Sequence, residues 1–289
     1  MFRRLLLFLL LPFFSLLIIA CNSSSTINNQ PKNDVTYANR IITLTSLSSD
    51  IIEQLDKSKL VGMVGSRLFE NDPRFEDIPQ VSQGQTPPSL EKIIALKPDL
   101  VIGAKGFSDN TLNKLEELGI KTLSTEINSW NDMLEMTQTL ATIIQADVTP
   151  LLKRYQTFLA DIPKQDISSL VLVSRQPILA PNKNSWAGNL LTKFNLNNIT
   201  ANLQGQSPVR GYITLSAEKI LQENPDILLI VDPSQQELMD EFKAEPFWKN
   251  LKATKTNKVY SFDYYGLVNP GSIDKIEEAC QKLKQILNA

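Results

Sequence analysis

Apolar and polar positions along this chain follow two rhythms, and the switches between them mark its elements. From residue 40 onward, short apolar runs over 41–44 and 60–64 predict buried strands. Between them, Ser48-Ser49-Asp50 caps a helix running through Leu55. A helix-then-strand unit comes next, its strand ending at Gly103 before the loop 104–108. A helix over about 109–118 and a strand over 121–124 complete the series. Strands alternating with helices in this way predict an α/β lobe with a mainly parallel sheet. The same logic returns with a strand over 170–173, a helix near 189–194, another helix–strand unit and a strand over 258–261. Between the two series, 132–162 carries helical periodicity broken only around 147–150, with Leu151, Leu152, Tyr155, Phe158 and Leu159 on one face. One connecting helix over 146–163 would be about 24 Å long, the width of a small lobe. Two separate helices packed on one lobe is the other arrangement the pattern allows.

The two series share a repeated segment. Ser89-Leu90-Glu91-Lys92-Ile93-Ile94-Ala95-Leu96-Lys97-Pro98-Asp99-Leu100-Val101-Ile102 returns 127 residues later as Ser216-Ala217-Glu218-Lys219-Ile220-Leu221-Gln222-Glu223-Asn224-Pro225-Asp226-Ile227-Leu228-Leu229. Each copy reads as a short helix stopped by Pro, then Asp, then an apolar strand. A ligand lying between two similar lobes is gripped from both sides, so the duplication predicts a two-lobed binding protein: an N-terminal lobe over 40–145, the connector over 146–163 and a C-terminal lobe over 164–289.

The first forty residues read differently. Arg3 and Arg4 precede an apolar run to Ala20, then Cys21, which together describe a lipoprotein signal peptide over 1–20. Ile18-Ile19-Ala20-Cys21 resembles the lipobox of bacterial lipoproteins, in which the Cys thiol is acylated and the chain is held at a membrane by several acyl chains. A Ser- and Asn-rich stretch then makes 21–39 a flexible tether. The expected location is outside the cytoplasm, anchored to a bacterial membrane.

Composition narrows the chemistry. The formal charge of −2 comes without a basic cluster, which argues against a nucleic-acid partner. The chain has no histidine, which removes Ser-His and Cys-His catalysis together with His-ligated zinc or haem. No phosphate-binding glycine loop or nucleophile elbow is present, so no cofactor is expected; an exported enzyme using a Ser-Lys or carboxylate pair has no motif behind it. With Cys21 lipidated, Cys280 has no partner for an intrachain disulfide. It shares one face of a C-terminal helix with Ile276, Ala279, Leu283 and Leu287 and reads as a buried, inert thiol.

In their order and spacing these segments resemble the substrate-binding proteins of the cobalamin and ferric-siderophore class of ABC importers. Arg40-Ile41-Ile42-Thr43-Leu44 with Ser48-Ser49-Asp50-Ile51 resembles the family's opening strand and its Ser-x-Thr-Glu turn. Leu60-Val61-Gly62 resembles its second strand, and 89–103 its Leu-Glu-x-Ile-x-x-Leu-x-Pro-Asp-Leu-Val segment. Pro246-Phe247-Trp248-Lys249-Asn250-Leu251 followed by Lys258-Val259-Tyr260 resembles its Pro-x-Trp-x-x-Leu stretch. The resemblance runs from about Arg40 to Leu287. It implies two Rossmann-like α/β lobes joined by one long helix, a ligand in the interlobe cleft, a monomer, and a permease with its ATPase as partners. It also implies that an acid on each lobe docks the permease. Asp50 matches the first-lobe position, and stabilising its helix N-terminus is the other reading of it; the matching stretch of the second lobe, 184–189, carries no acid.

In sheets of this kind ligands sit beyond the carboxyl ends of the strands. Loops there offer Arg67, Lys105, Phe107 and Trp130 in the first lobe, and Arg175, Trp186, Arg210, Tyr212, Tyr264 and Tyr265 in the second. Trp248, inside a helical run, reads as structural. Arginine forks suit carboxylates and aromatic faces suit a bulky chelate, so ferric citrate or a citrate-based siderophore fits. A corrinoid would use the same aromatics, haem would need tyrosine ligation, and naked ferric iron would need carboxylate or anion co-ligands beside tyrosines. A sensory or scaffolding lipoprotein that kept the fold but lost transport is the remaining alternative.

Overall fold

The computed structural model describes residues 37–83, 86–203, 205, 207, 209–232 and 237–288, so Cys21, the signal segment and most of the tether lie outside the described residues. The fold takes hold two residues before Arg40: Ala38 is buried, and its N–H donates to the Ile143 carbonyl at 3.0 Å. No helix among the described residues is long and apolar enough to cross a membrane.

The first lobe runs β1 (Ile41–Thr43), α1 (Ser46–Asp56), β2 (Leu60–Met63), α2 (Leu90–Ala95), β3 (Leu100–Ala104), α3 (Asp109–Glu117) and β4 (Thr122–Thr125). Its four strands are parallel, in the order β2-β1-β3-β4. Two helices, α4 (Trp130–Ile144) and α5 (Thr149–Phe158), lead to the second lobe. There the chain forms β5 (Ile167–Leu172), β6 (Ser174–Arg175), β7 (Ile178–Pro181), α6 (Trp186–Lys193), β8 (Leu196–Asn198), β9 (Tyr212–Thr214), α7 (Ala217–Glu223) and β10 (Ile227–Val231). It ends with α8 (Glu237–Lys243), α9 (Lys252–Lys255), β11 (Val259–Phe262), the short turn α10 (Tyr264–Leu267) and α11 (Ile273–Leu287). The second parallel sheet has the order β8-β5-β10-β11, the same topology as the first. A small antiparallel sheet, β6-β7-β9, is added to it.

The repeated segment explains this symmetry in physical terms. Ser89 and Ser216 each cap their helix through the hydroxyl, accepting from Lys92 N–H at 3.3 Å and Lys219 N–H at 3.2 Å. Ile93 and Ile220 are the fully buried anchors. Lys97 and Asn224 then turn left-handed, at φ 50° and 44°, and the prolines after them forbid a further helical turn. Each Asp next ties the new strand to its central neighbour. Asp99 accepts from the N–H groups of Asn39 and Arg40, just before β1, and Asp226 accepts from the N–H and hydroxyl of Ser168 in β5.

Strand side chains alternate between two cores, as a period of two requires. Val101 and Ile42 face a cluster under α2 and α3, while Ile41, Leu100 and Ile102 face the opposite way. In the second lobe Leu228 and Ile230 face a separate cluster with Phe242 and Trp248, while Ile227, Leu229 and Val231 face away from it. The opposite faces of both sheets meet one continuous core, shared with α1, α4, α5, α6 and α11. Cys280 lies in it, fully buried, with its thiol pushed up to about 12 by burial.

Where the periodicity allows one connector over 146–163, helix covers only Thr149–Phe158, preceded by a separate α4. Gln145 ends α4 in the left-handed region at φ 58°, Asp147 accepts from Thr149 N–H at 2.9 Å, and Pro150 sits in the first turn of α5. α4 packs against α1 of the first lobe and α6 of the second, and α5 against α11. The link is therefore a corner of two helices with contacts to both lobes.

Candidate functional site in the interlobe cleft

Loops at the carboxyl ends of both parallel sheets meet through a band of polar and aromatic side chains. Glu126, one residue beyond β4, is its centre. Its carboxylate accepts from Arg210 Nη1 at 2.6 Å and Asn128 Nδ2 at 3.0 Å through Oε1, and from Lys105 Nζ at 3.0 Å through Oε2. Lys105 lies just after β3 in the first lobe and Arg210 just before β9 in the second, so this carboxylate joins the lobes. These donors hold the Glu126 carboxyl below its ordinary range, the Lys105 hydrogen bond contributing most. The side chains remain open to solvent, Arg210 at 79% and Lys105 at 63%.

The band continues through the tyrosines. Gly211, at φ 80°, separates Arg210 from Tyr212; its Cα lies where a Cβ would come within 3.0–3.2 Å of Asn184 and Ser185, so only glycine seats this turn without a shift. Burial, then the neighbouring Tyr264, raises the Tyr212 phenol above its ordinary value. Tyr264 and Tyr265 meet edge to face at 5.3 Å between ring centroids. Tyr265 is raised by burial and by Tyr264, with Arg67 acting in the opposite sense. At neutral pH the Tyr212 and Tyr265 phenols are proton donors. Tyr212, Tyr264, Tyr265 and Arg67 lie close enough to influence one another, Arg210 stands two residues before Tyr212, and Phe107, two residues from Lys105, stands 95% exposed on the same loop.

Two of the residues expected in the cleft, and the one expected to dock a permease, lie elsewhere. Trp130 and Trp186 are not cleft walls: they are 5% and 3% exposed and stack on each other at 6.1 Å, with Tyr155 and Phe158 edge-on to Trp130. Each is the first residue of its helix, and the helix carries the ring inward. Trp130 N–H donates to Asn189 Oδ1 at 2.9 Å, and Trp186 Nε1–H to the Gly266 carbonyl at 2.8 Å. Position 266 requires glycine for a separate reason: its φ is 93°, and a Cβ there would meet the Lys275 carbonyl oxygen at 2.0 Å. The tryptophans are the joint between the lobes. Arg175, in the antiparallel sheet, binds Glu245 at 2.6 Å and lines a pocket of about 430 Å³ beyond the ends of β5 and β10, as its expected place after a strand requires; Asp232, Glu237 and Glu241 line it too.

Asp50 is the third correction. It is fully buried, accepting from Ile273 N–H at 2.6 Å and Arg74 Nη1 at 3.0 Å, so it has no surface to offer a permease. Burial raises its carboxyl above the ordinary value; the Ile273 bond and Arg74 oppose this. Arg74 also holds Asp72 and Asp274, and Arg154 reaches Asp274, Glu277 and Gln54. This network fastens the start of α11 to α1, far along the chain. Trp248, read as structural, stacks on Phe242 at 6.4 Å in the second lobe's own cluster.

Sequence reasoning missed Glu126 and Asn128. The only signal for them is their place in the loop after the fourth strand, and nothing in their local pattern shows that Arg210, 84 residues away, meets Glu126.

Comparison with known proteins agrees with this architecture. The model of the family described as periplasmic binding protein matches residues 41–265. A vitamin B12-binding protein of Vibrio campbellii is 26% identical over 276 residues, 88% of this chain and 94% of that protein. The Fe(3+)-citrate-binding protein YfmC of Bacillus subtilis is 27% identical over 186 residues, 61% of this chain and 57% of that one. The crystal structure of an ABC transporter substrate-binding protein from Listeria monocytogenes superposes with a TM-score of 0.71 at 22% identity, over 86% of this chain and 98% of the other. The match covers both sheets and the loops that carry the band, and the chain belongs to the periplasmic binding protein family, whose members carry ligands rather than transform them.

Proposed function

We propose that this protein captures a ferric chelate, ferric citrate or a siderophore, between its lobes and delivers it to the permease and ATPase of an ABC importer. The observation that carries this reading is the band of three cations and three phenols drawn from both lobes. A wrapped iron ion presents carboxylate or other oxygen atoms outward. Guanidinium forks and an ammonium match those atoms, and tyrosine hydroxyls add hydrogen-bonding groups. Relatives named for Fe(3+)-citrate and for an iron-uptake system support the reading. The shared core and the three interlobe fastenings favour a modest closing motion over a wide hinge. We further place the protein at a membrane through acylation of Cys21; Cys21→Ser should move it from the membrane to the soluble fraction.

A corrinoid is the second reading, and it has equal support among the relatives, several of which are named for vitamin B12. Phe107 favours it, because a fully exposed ring is a stacking platform for a flat macrocycle. Calorimetric titration of the purified chain with ferric citrate, a ferric hydroxamate siderophore, cobalamin and haem separates the readings. Saturable micromolar or tighter binding of one iron chelate supports the first, and binding of cobalamin alone replaces it with the second. Silence across the panel sinks both and leaves the non-transport lipoprotein.

A further inference from the structure

We infer that Glu126 is a specificity-determining residue: an internal anion that occupies the cleft cations until a ligand's own anionic group takes its place. The inference rests on the ferric-chelate reading for the identity of the ligand, but its argument is geometric. Lys105 and Arg210 come from different lobes, and both point their charge at one carboxylate. That carboxylate uses both oxygens and takes a third donor from Asn128, which is the contact set an incoming citrate or phosphate-like group would otherwise collect.

The exposure of the cluster makes exchange easy. Arg210 and Lys105 are mostly open to water and Glu126 is an exposed loop residue, so each ion pair is worth a small factor and not a lock. A ligand carboxylate can therefore exchange with Glu126 without unfolding anything. Glu126 lowers the local charge from two cations to a net of one, so it weakens every anionic ligand by the same means. Selection then falls on ligands with enough anionic groups, suitably spaced, to hold both cations and reach Arg67 or the tyrosines as well. A ligand with a single anionic group, too few to hold both cations, is affected less, because it gains less by displacing Glu126.

Titration of wild-type protein, Glu126→Gln, Arg210→Met and the double variant Glu126→Gln/Arg210→Met with ferric citrate and with cobalamin tests the inference. Glu126→Gln should tighten ferric citrate about tenfold, the sum of two exposed pairs, and steepen its dependence on ionic strength. Cobalamin, whose single anionic group is a phosphodiester, should change less than about threefold, and in the Arg210→Met background the gain for citrate should shrink to about threefold because only the Lys105 pair is then released, a coupling that a merely structural role would not produce. Wild-type binding judges the chelate reading, whereas the ratio between variant and wild type judges Glu126. If the wild type ignores ferric citrate but Glu126→Gln binds it, the chelate reading fails and the inference stands. A Glu126→Gln protein that keeps its thermal midpoint yet gains no affinity for ferric citrate overturns the inference, whatever the wild type binds.

Discussion

The two lobes share a sheet topology, a capped helix, a left-handed stop, a proline and a strand-tying aspartate, yet they present different surfaces to the cleft. The shared parts are the ones that physics constrains tightly. Ser89 and Ser216 satisfy orphan amides, Ile93 and Ile220 bury, and Asp99 and Asp226 fasten one strand to the next. The cleft parts are under no such constraint. The first lobe supplies Lys105, Phe107 and Glu126 from loops after its strands and Arg67 from the short 3-10 turn Arg67–Phe69. The second adds the antiparallel β6-β7-β9 sheet, whose last strand begins at Tyr212 and sets Arg210 across from Glu126. A repeated framework holds position, and unequal loops on it set the chemistry.

The largest test of the comparison concerns whether the lobes are separate folding units. The stacked Trp130 and Trp186 and the common core predict that they are not. Trp186→Ala should cost about 3–5 kcal/mol in urea unfolding, and both lobes should still melt in one transition. Two resolved transitions in the wild type would break the comparison into independent halves.

The paired aspartates sharpen it. Asp226 also binds Lys252 at 2.5 Å, and the Lys252 and Ser168 hydrogen bonds lower its carboxyl from 3.8 to about 2. A depressed carboxyl contributes stability that is present above the unfolded value and lost as pH falls from there through about 2. Asp226→Asn should therefore destabilise by on the order of 1 kcal/mol at pH 7, with the gap to wild type closing below pH 3. A gap that stays constant with pH would remove charge from the explanation.

Ligand affinity compares two arginines of the second lobe. Arg210→Ala should weaken a ferric chelate about tenfold, whereas Arg175→Ala, already committed to Glu245, should leave it within about twofold. Equal losses would place the ligand across the 430 Å³ pocket beside Arg175 instead of the Glu126 band. The smallest effect separates the two left-handed stops. Lys97→Gly should stabilise by about 0.5–1 kcal/mol, and Asn224→Gly by less, because asparagine tolerates this region better than lysine. Reversal of that order in thermal unfolding would mean that side-chain contacts, and not backbone strain, set the two positions.

Much of the framework was legible along the chain because it is written in local periods. Apolar runs of four to six residues gave the central strands, and the spacing of Ser, Ile, Pro and Asp gave the helix-stop-strand unit twice. The short edge strand β8 and the antiparallel β7 and β9 carried no such pattern; Tyr212-Ile213-Thr214 and Leu196-Asn197-Asn198 are three residues each, too short to show a period. The corner between α4 and α5 was half visible in 147–150, but the left-handed Gln145 that ends α4 was not.

The site was legible only as a set of loops. Arg67, Lys105, Arg210 and the three tyrosines were reachable from their positions next to strand ends, since in parallel sheets those loops gather at one end. Which of their neighbours turn inward was not. Trp130 meets Trp186 and Asn189 across more than fifty residues, Asp50 meets Ile273 across 223, and Glu126 meets Arg210 across 84. By itself the sequence determined the elements, their duplication and the family, because hydrophobic period, capping and proline act within a few residues. Burial of the tryptophans and Asp50, and the joining of Lys105, Glu126 and Arg210 into one charge cluster, were decided by the tertiary structure alone. Contacts between side chains far apart in the chain depend on how the two lobes dock, and no local pattern encodes that.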